Sequence, residues 1–265
     1  MKIRIIQAPI IGLAIEENRK WIQEALEESM ENKPDVILLP ELWNTGYMPD
    51  DLDKVTDLKE GEIQEQLSIF AKKNQVNLIG GSIATRISGQ LKNRSYVYNR
   101  QGECIAHYDK VHLFSPSGED KIFQAGDSLC KFSVDGISSA LVNCNDLRFP
   151  EWIRLNAMKE VKILFVPSAW AFKRIEQMHF LSKTRAYENQ FFVLVANATR
   201  AQGHKALSGG QSIGFGPNGQ EIFALDTQAQ IAEISLDLSA IDEYKEFLNL
   251  WKDRRYDLYK GLDEK

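Results

Sequence analysis

The chain reads as a single α/β domain, residues 1–265, in which sheets stack face to face with helices outside. Three observations predict it. Short apolar runs, Val36–Leu39, Val161–Val166 (broken only by Lys162) and Phe191–Ala196, have the composition of strands covered on both faces. Amphipathic helical patterns alternate with strands along the whole length, without a linker or a low-complexity tract. Turn signals at Arg100-Gln101-Gly102, Asp135-Gly136 and Pro217-Asn218-Gly219 fold strands into hairpins, so the sheets are mixed rather than wholly parallel.

In chain order, Ile3–Gln7 is a first strand. The run Met1–Pro9 around it is too short an apolar stretch for a signal peptide. Glu17–Met30 is a helix with Trp21, Ala25, Leu26 and Met30 near one face. The strand Val36–Leu39 stops abruptly at Pro40-Glu41. Glu62–Lys73 repeats the helical pattern through Ile63, Leu67 and Phe70, and a strand runs from Val76 into Gly80-Gly81-Ser82. Ser95–Asn99 and Glu103–His107 flank the first hairpin turn. Asp135-Gly136 turns the chain into Ser138–Asn143, rich in small and β-branched residues, which reads as a buried strand. Pro150 suits a first helical turn, and Trp152, Leu155, Ala157 and Met158 carry that helix to about Glu160.

Val161–Val166 ends at Pro167-Ser168-Ala169-Trp170, a helix covers Arg174–Asn189, and the strand Phe191–Ala196 follows. Gln211–Phe215 and Glu221–Ala224 form a hairpin, and Ile231–Leu236 is the last strand. A helix over Ser239–Leu250 is expected to be capped by Ser239. The tail 251–265 is charged but carries Trp251, Tyr256 and Tyr259, and is expected to pack on a partner subunit.

Composition narrows the function classes. The chain is 43 % hydrophobic and 26 % charged, with a net charge of −5 and scattered basic residues. It has neither a nucleic-acid footprint nor a polybasic membrane patch. No apolar run approaches the roughly 20 residues that cross a bilayer. The three cysteines, Cys104, Cys130 and Cys144, are odd in number and lack zinc-site spacing, which points to a reducing cytoplasm. The histidines form no metal-binding pair. Neither Gly80-Gly81 nor Gly209-Gly210 opens a helix, so a phosphate loop is disfavoured and no metal or organic cofactor is expected.

What remains is a set of reactive residues at strand ends, where open sheets place their ligands. Cys144 lies where a strand turns toward a helix, and a helix N-terminus favours the thiolate. Glu41 follows the strand Val36–Leu39, and Lys110 follows Glu103–His107. A carboxylate can take a thiol proton and an ammonium can stabilise an oxyanion, so Cys, Glu and Lys together suffice for acyl transfer without histidine.

The local sequences resemble the nitrilase, or carbon–nitrogen hydrolase, superfamily over essentially the whole chain. Leu38-Leu39-Pro40-Glu41-Leu42-Trp43-Asn44-Thr45-Gly46-Tyr47 is similar to its base motif, and Tyr108-Asp109-Lys110-Val111-His112-Leu113-Phe114 to its lysine motif. Cys144-Asn145-Asp146-Leu147-Arg148-Phe149-Pro150-Glu151 is similar to its nucleophile motif. Pro167-Ser168-Ala169-Trp170 and Arg185-Ala186-Tyr187-Glu188-Asn189-Gln190 add two echoes in the family's order.

The resemblance implies a four-layer αββα sandwich and a homodimer paired through a helical face. It implies Cys144 as nucleophile, Glu41 as general base and acid, and Lys110 at the oxyanion. Glu119, ahead of Phe123-Gln124-Ala125-Gly126, takes the place of a second glutamate that orients Lys110 or the substrate. Trp43, Tyr47, Asn145, Trp170 and Phe172 are candidate pocket residues, and Arg174 is a candidate for a substrate carboxylate. Asp146, Arg148 and Glu151 are expected to be structural, fixing the turn that carries Cys144, as are Glu188 and Asn189.

The branch most resembled includes ω-amidases, which act on amides of 2-oxo dicarboxylic acids. N-carbamoyl-amine hydrolase and nitrilase are alternatives on the same fold. A non-catalytic binding scaffold is the alternative from another class, and transfer of the acyl group to an amine stays open beside hydrolysis. Asn145, where many relatives carry Tyr or Trp, and Gln177-Met178, in place of His-Trp, leave the substrate open.

Overall fold

The computed structural model describes residues 1–47, 52, 61–158, 160–200 and 208–259. The first half runs β1 (Lys2–Gln7), β2 (Pro9–Ile10), α1 (Ile15–Ser29), β3 (Val36–Leu38), α2 (Glu62–Asn74), β4 (Asn77–Ile87), β5 (Gln90–Tyr98), β6 (Cys104–Asp109) and the short α3 (Glu119–Ile122). The second half runs β7 (Cys130–Val134), β8 (Ile137–Leu141), α4 (Pro150–Ala157), β9 (Ile163–Ser168), α5 (Ile175–Asn189), β10 (Phe192–Asn197), β11 (Thr199–Arg200), β12 (Ile213–Phe215), β13 (Glu221–Ala224), β14 (Gln230–Ser235) and α6 (Ser239–Phe247).

Two six-stranded mixed sheets result, ordered β14-β1-β3-β4-β5-β6 and β13-β12-β10-β9-β8-β7. Alternate side chains of each strand point to opposite faces, and in the inner strands β1, β3, β9 and β10 nearly every residue is buried, which is why those strands are largely apolar. Ile3, Ile5, Leu38, Ile79 and Val97 of the first sheet share one core with Leu141, Phe165, Phe192 and Leu194 of the second. On the far side of the first sheet, Ile6, Ile37 and Leu78 meet Ile22 and Leu26 of α1 and Leu67 and Phe70 of α2. On the far side of the second, Leu164, Val193 and Val195 meet Ile153 of α4 and Met178 and Ala186 of α5. The layers are therefore α, β, β, α, as the resemblance implies.

Two local features differ from the expectations, and the tail adds contacts of its own. The strand expected to stop near Ser82 continues to Ile87 and turns back through Ser88 (φ 51°) and Gly89 (φ 83°) into β5. Two successive residues at positive φ form the tight turn that matches strand twist, and the Ser-Gly dipeptide was its only sequence signal. Ser239 is the first residue of α6 and not its cap, a position that Leu238 takes; the Ser239 N–H and Oγ both donate to Asp237 Oδ1, at 3.0 and 2.8 Å. The tail turns back on its own chain where it is described. Trp251 Nε1 donates to Asn189 O at 3.2 Å, and the Arg154 guanidinium stacks 5.1 Å from its ring centre. Residues 260–265 of the tail lie outside the described residues.

Candidate active site

The site forms at the C-terminal ends of strands. Glu41 lies in the turn after β3, and its N–H donates across the sandwich to Ser168 O of β9 at 3.3 Å. Lys110 directly follows β6. Its N–H bonds Asn93 O and its carbonyl accepts from Gly126, both at 3.0 Å. Cys144 opens a five-residue 3-10 turn after β8, with φ at 44°. That is a left-handed conformation a β-carbon resists, and such strain collects at reactive positions.

Glu41, Lys110, Glu119 and Cys144 are all buried and meet. Lys110 Nζ donates to Glu41 Oε1 at 2.8 Å and to Glu119 at 3.0 Å (Oε1) and 2.8 Å (Oε2). Tyr47 Oη and the Phe114 N–H also donate to Glu119 Oε2, at 3.0 and 2.7 Å. The Cys144 thiol lies near enough to the Glu41 carboxylate for each to shift the other's ionisation. Glu41 Oε2 is buried and has no hydrogen-bond partner among the described residues.

The turn carrying Cys144 is fixed by Asp146. Its Oδ2 accepts from the Asn143 N–H and Tyr108 Oη, both at 2.8 Å, and its Oδ1 takes the His112 N–H at 3.0 Å, with His112 Nδ1 2.7 Å away. Asp146 is structural, as expected. Arg185 joins it by donating to Leu147 O at 3.0 Å and to Glu188 Oε1 at 3.0 Å.

The electrostatics differ from the expectation of a lowered thiol pKa. Burial pushes the Cys144 thiol well above its usual range, and the negative charge of Glu41 pushes the same way. Lys110 and the Ala169 N–H oppose this without reversing it. A single 3-10 turn is too short to supply the dipole a true helix would. Cys144 thus rests as a protonated thiol with the Glu41 carboxyl near it. Burial also raises the Glu41 carboxyl, Lys110 pulls it back, and the net shift is upward. For Lys110, burial alone would lower the ammonium, but Glu119 and Glu41 outweigh it and hold it well above its usual range. For Glu119, burial is likewise outweighed, here by Lys110 and by hydrogen bonds from Lys110, Phe114 and Asn93, so its carboxyl is lowered. One ammonium therefore sits between an ionised carboxylate and a second one poised to take a proton.

Cys144 opens onto a cavity lined by Tyr47, Phe114, Asn145, Trp170, Arg148 and Arg174, among others. Four of the six residues read as pocket candidates are there. Trp43 is not. It packs in the core under α1 and α2, and its Nε1 donates to Gly80 O at 2.8 Å. Phe172 is not either; it stands exposed on a 3-10 turn before α5. In each case a neighbouring aromatic faces the cavity instead, because backbone direction in a turn cannot be read from residue type.

Arg148 departs from its expected purely structural role. It does hold the turn, donating to Asn145 Oδ1 at 2.9 Å, but its guanidinium lies 4.1 Å from the Trp170 ring centre and lines the cavity beside Arg174. Burial and the charge of Arg174 lower its pKa. Among the described residues, neither guanidinium has a carboxylate within ion-pair distance. The sequence reading missed Asn93, whose Nδ2 donates to Glu41 Oε1 and Glu119 Oε1, each at 2.9 Å. Its signal was the alternation of Leu91, Asn93 and Ser95 along β5, which places all three inward.

Residues 2–246 match the carbon-nitrogen hydrolase family. A "Hydrolase in agr operon" of Staphylococcus aureus is 33 % identical over 262 residues, 98 % of this chain and 100 % of that protein. A 2-oxoglutaramate amidase of Bacillus subtilis is 33 % identical over 243 residues, 92 % and 93 % of the two chains. Among solved structures, Saccharomyces cerevisiae Nit3, a member of branch 10 of the nitrilase superfamily, superposes with a TM-score of 0.89 at 25 % identity, covering 97 % of both chains. A family match over nearly the whole length, relatives of equal extent and a shared four-layer fold agree: the protein belongs to the carbon-nitrogen hydrolase family of the nitrilase superfamily.

Proposed function

We propose that the enzyme hydrolyses the terminal amide of a small carboxylate-bearing substrate, a 2-oxo acid amide, through a thioester on Cys144. The observation that carries this reading is one cavity with two halves. One end holds Cys144 backed by Glu41, Lys110 and Glu119; the other presents Arg148 and Arg174 without acidic partners among the described residues. An acyl-transfer site alone fits any amide, whereas two uncompensated guanidiniums select a carboxylate. The name of the Bacillus relative, 2-oxoglutaramate amidase, points to the same substrate class.

In this mechanism Glu41 accepts the thiol proton as Sγ bonds to the amide carbon. The oxyanion that forms is stabilised by Lys110, whose charge Glu119 keeps in place. Collapse breaks the C–N bond, Glu41 returns the proton to nitrogen, and ammonia leaves. Glu41 then deprotonates water for attack on the thioester, and the Sγ–C bond breaks to release the acid and restore the thiol. Tyr47, Asn145 and Trp170 wall the substrate. No metal or organic cofactor enters any step.

We further propose a cytoplasmic homodimer. The free thiols support a reducing compartment, and an exposed aromatic strip on α5 and α6 supports the pairing. Among the described residues, no helix is long and apolar enough to cross a membrane.

Ammonia release tests the reading, using 2-oxoglutaramate, 2-oxosuccinamate, glutamine, asparagine, an N-carbamoyl amine and a simple nitrile. The oxo-amides are expected to turn over fastest, and Cys144→Ala is expected to abolish turnover, by roughly 10⁴-fold or more. Preference for the carbamoyl compound would keep the mechanism and replace the substrate. Silence throughout, with Cys144 no more reactive to iodoacetamide than Cys104, would make the protein a binding scaffold.

A further inference from the structure

Asn93 is the neutral member of the buried cluster. It stands on β5, 1 % exposed, with Nδ2 shared between Glu41 Oε1 and Glu119 Oε1 at 2.9 Å each. Its Oδ1 is buried and has no hydrogen-bond partner among the described residues. The amide cannot be turned over, because that would set its oxygen against two carboxylate oxygens. Stability alone does not favour such an arrangement, since a buried acceptor is left unpaired for the sake of two bonds on the other side.

Those two bonds determine what Glu41 can do. Its Oε1 accepts from both Lys110 Nζ and Asn93 Nδ2, which engages that oxygen and leaves Oε2 free. Without the amide, Glu41 would keep Lys110 alone, and Lys110 also bonds both oxygens of Glu119. The carboxylate could then rotate about its last bond and offer either oxygen to the ammonium. The Asn93 carbonyl also accepts the Lys110 N–H at 3.0 Å, so one residue sets both partners.

We propose that Asn93 is a positioning residue that divides the labour of the two carboxylates, holding Glu41 with one oxygen engaged and one free to act as base, and keeping Glu119 as the partner of Lys110. It acts through Glu41 and never touches the substrate. This rests on the reading of Glu41 as the base given above. The titratable groups that face Glu41 are Lys110 after β6, Glu119 of α3, Cys144 in the turn after β8, and Tyr47. A hydrogen bond to a carboxylate favours its charged form, so losing the amide N–H raises the Glu41 pKa. The base works when ionised, and the acid limb of its pH profile therefore moves to higher pH.

The test uses Asn93→Leu, which keeps the branched shape in a larger side chain without the donor, and Asn93→Gln, which keeps a donor. Two profiles are measured against pH: alkylation of Cys144 by iodoacetamide, which needs no substrate, and kcat and KM for the amide that the unaltered enzyme turns over. For Asn93→Leu, kcat is expected to fall about 10- to 100-fold with KM within about threefold, and both acid limbs to move up by about one pH unit. Asn93→Gln is expected to leave the limbs in place. If Asn93→Leu does not fold, Asn93→Ala, which also lacks a side-chain donor, carries the same comparison.

Uniformly slower rates with an unmoved limb would overturn the proposal in favour of a structural role. A raised KM at constant kcat would overturn it in favour of a substrate contact. An alkylation limb that Glu41→Gln leaves unchanged would overturn the reading of Glu41 as base, and this proposal with it. Alkylation that follows the expected pattern beside an amide panel that stays silent would support Asn93 while removing the substrate assignment.

Discussion

Charge balance inside the cluster decides which residue holds the mobile proton. Lys110 is held charged by two carboxylates and Glu119 is held ionised by Lys110, so the proton is shared between Glu41 and Cys144, both raised by burial. Because Glu41 must be ionised to accept it, activity is expected to rise with pH through a Glu41 pKa above the ordinary carboxylate value of 4.5. Glu41→Gln is expected to lower kcat/KM by about 10²- to 10⁴-fold and to remove that acid limb. A limb that survives the substitution would assign it elsewhere. Stability follows a different group. Glu119 is lowered, so its contribution is present above the unfolded carboxylate pKa and is lost as pH falls through the folded one. Glu119→Gln, which leaves a buried ammonium with one partner fewer, is expected to cost about 3–5 kcal/mol in urea denaturation at neutral pH. At the other end of the cavity, Arg174→Ala is expected to raise KM for a carboxylate-bearing amide about 10- to 100-fold, the worth of one charged hydrogen bond, and to leave a simple neutral amide unaffected. Equal effects on both would show that Arg174 only shapes the wall. The charged members of the cluster were legible in the sequence because each stands in a distinctive local string. Asn93 and the cavity face of Arg148 were not, since an asparagine in a strand and an arginine in a turn look alike whether they serve a site or a surface.

The elements matter through the turns at their ends. Glu41 is placed by the short β3 and by a turn pressed against β4. There Leu39 N–H donates to Ile79 O, Ser82 N–H donates to Pro40 O at 3.1 Å, and Leu42 N–H donates to Ser82 Oγ at 3.0 Å. Such close approach needs a residue without a side chain. Gly81 has φ at +63°, and a β-carbon there would overlap the Pro40 carbonyl oxygen and crowd Leu39 and Trp43. Gly81→Ala is therefore expected to push Pro40 and Glu41 outward and to lower kcat at least about 10²-fold, given how steeply catalysis depends on sub-ångström placement. Its circular dichroism is expected to stay near that of the unaltered protein, whereas unfolding would show that the glycine serves the sheet as a whole. Strand ends of this kind were legible from the sequence, because a run such as Val36–Leu39 stops visibly at Pro40. The β4–β5 hairpin was harder to see. The start of β5 alternates buried and half-buried residues, Leu91, Asn93 and Ser95 facing in and Lys92 and Arg94 less so, and that weaker pattern hid the stretch that delivers Asn93.

Across the whole molecule, the all-apolar strands announced sheets covered on both sides, and the helices between them announced what covers the outer faces. Which sheet each strand joins was not legible, because β14 returns beside β1 from the far end of the chain and no local signal records such a pairing. The outer surface poses the converse question. On α5, Phe180 is 70 % exposed, and Tyr187 lies seven residues on, two turns along the same face. The Tyr187 ring lies 6.4 Å from Tyr244 of α6, and Tyr244 lies 6.4 Å from Phe247, which is 85 % exposed. A continuous aromatic strip across two helices is costly to leave in water, each fully buried aromatic side chain being worth roughly 1.5–3 kcal/mol. A second copy related by a twofold axis would bury the strip against itself. Phe180→Asp puts a charge into the middle of that contact and is expected to convert a dimer to a monomer in sedimentation velocity. Because Glu41, Lys110, Glu119 and Cys144 all come from one chain, the monomer is expected to retain kcat per site within a few fold. A sharp loss of kcat on dissociation would mean that pairing braces the Cys144 turn through α5, which Arg185 ties to Leu147. If the unaltered protein already sediments as a monomer, the strip has some other occupant and the pairing is wrong.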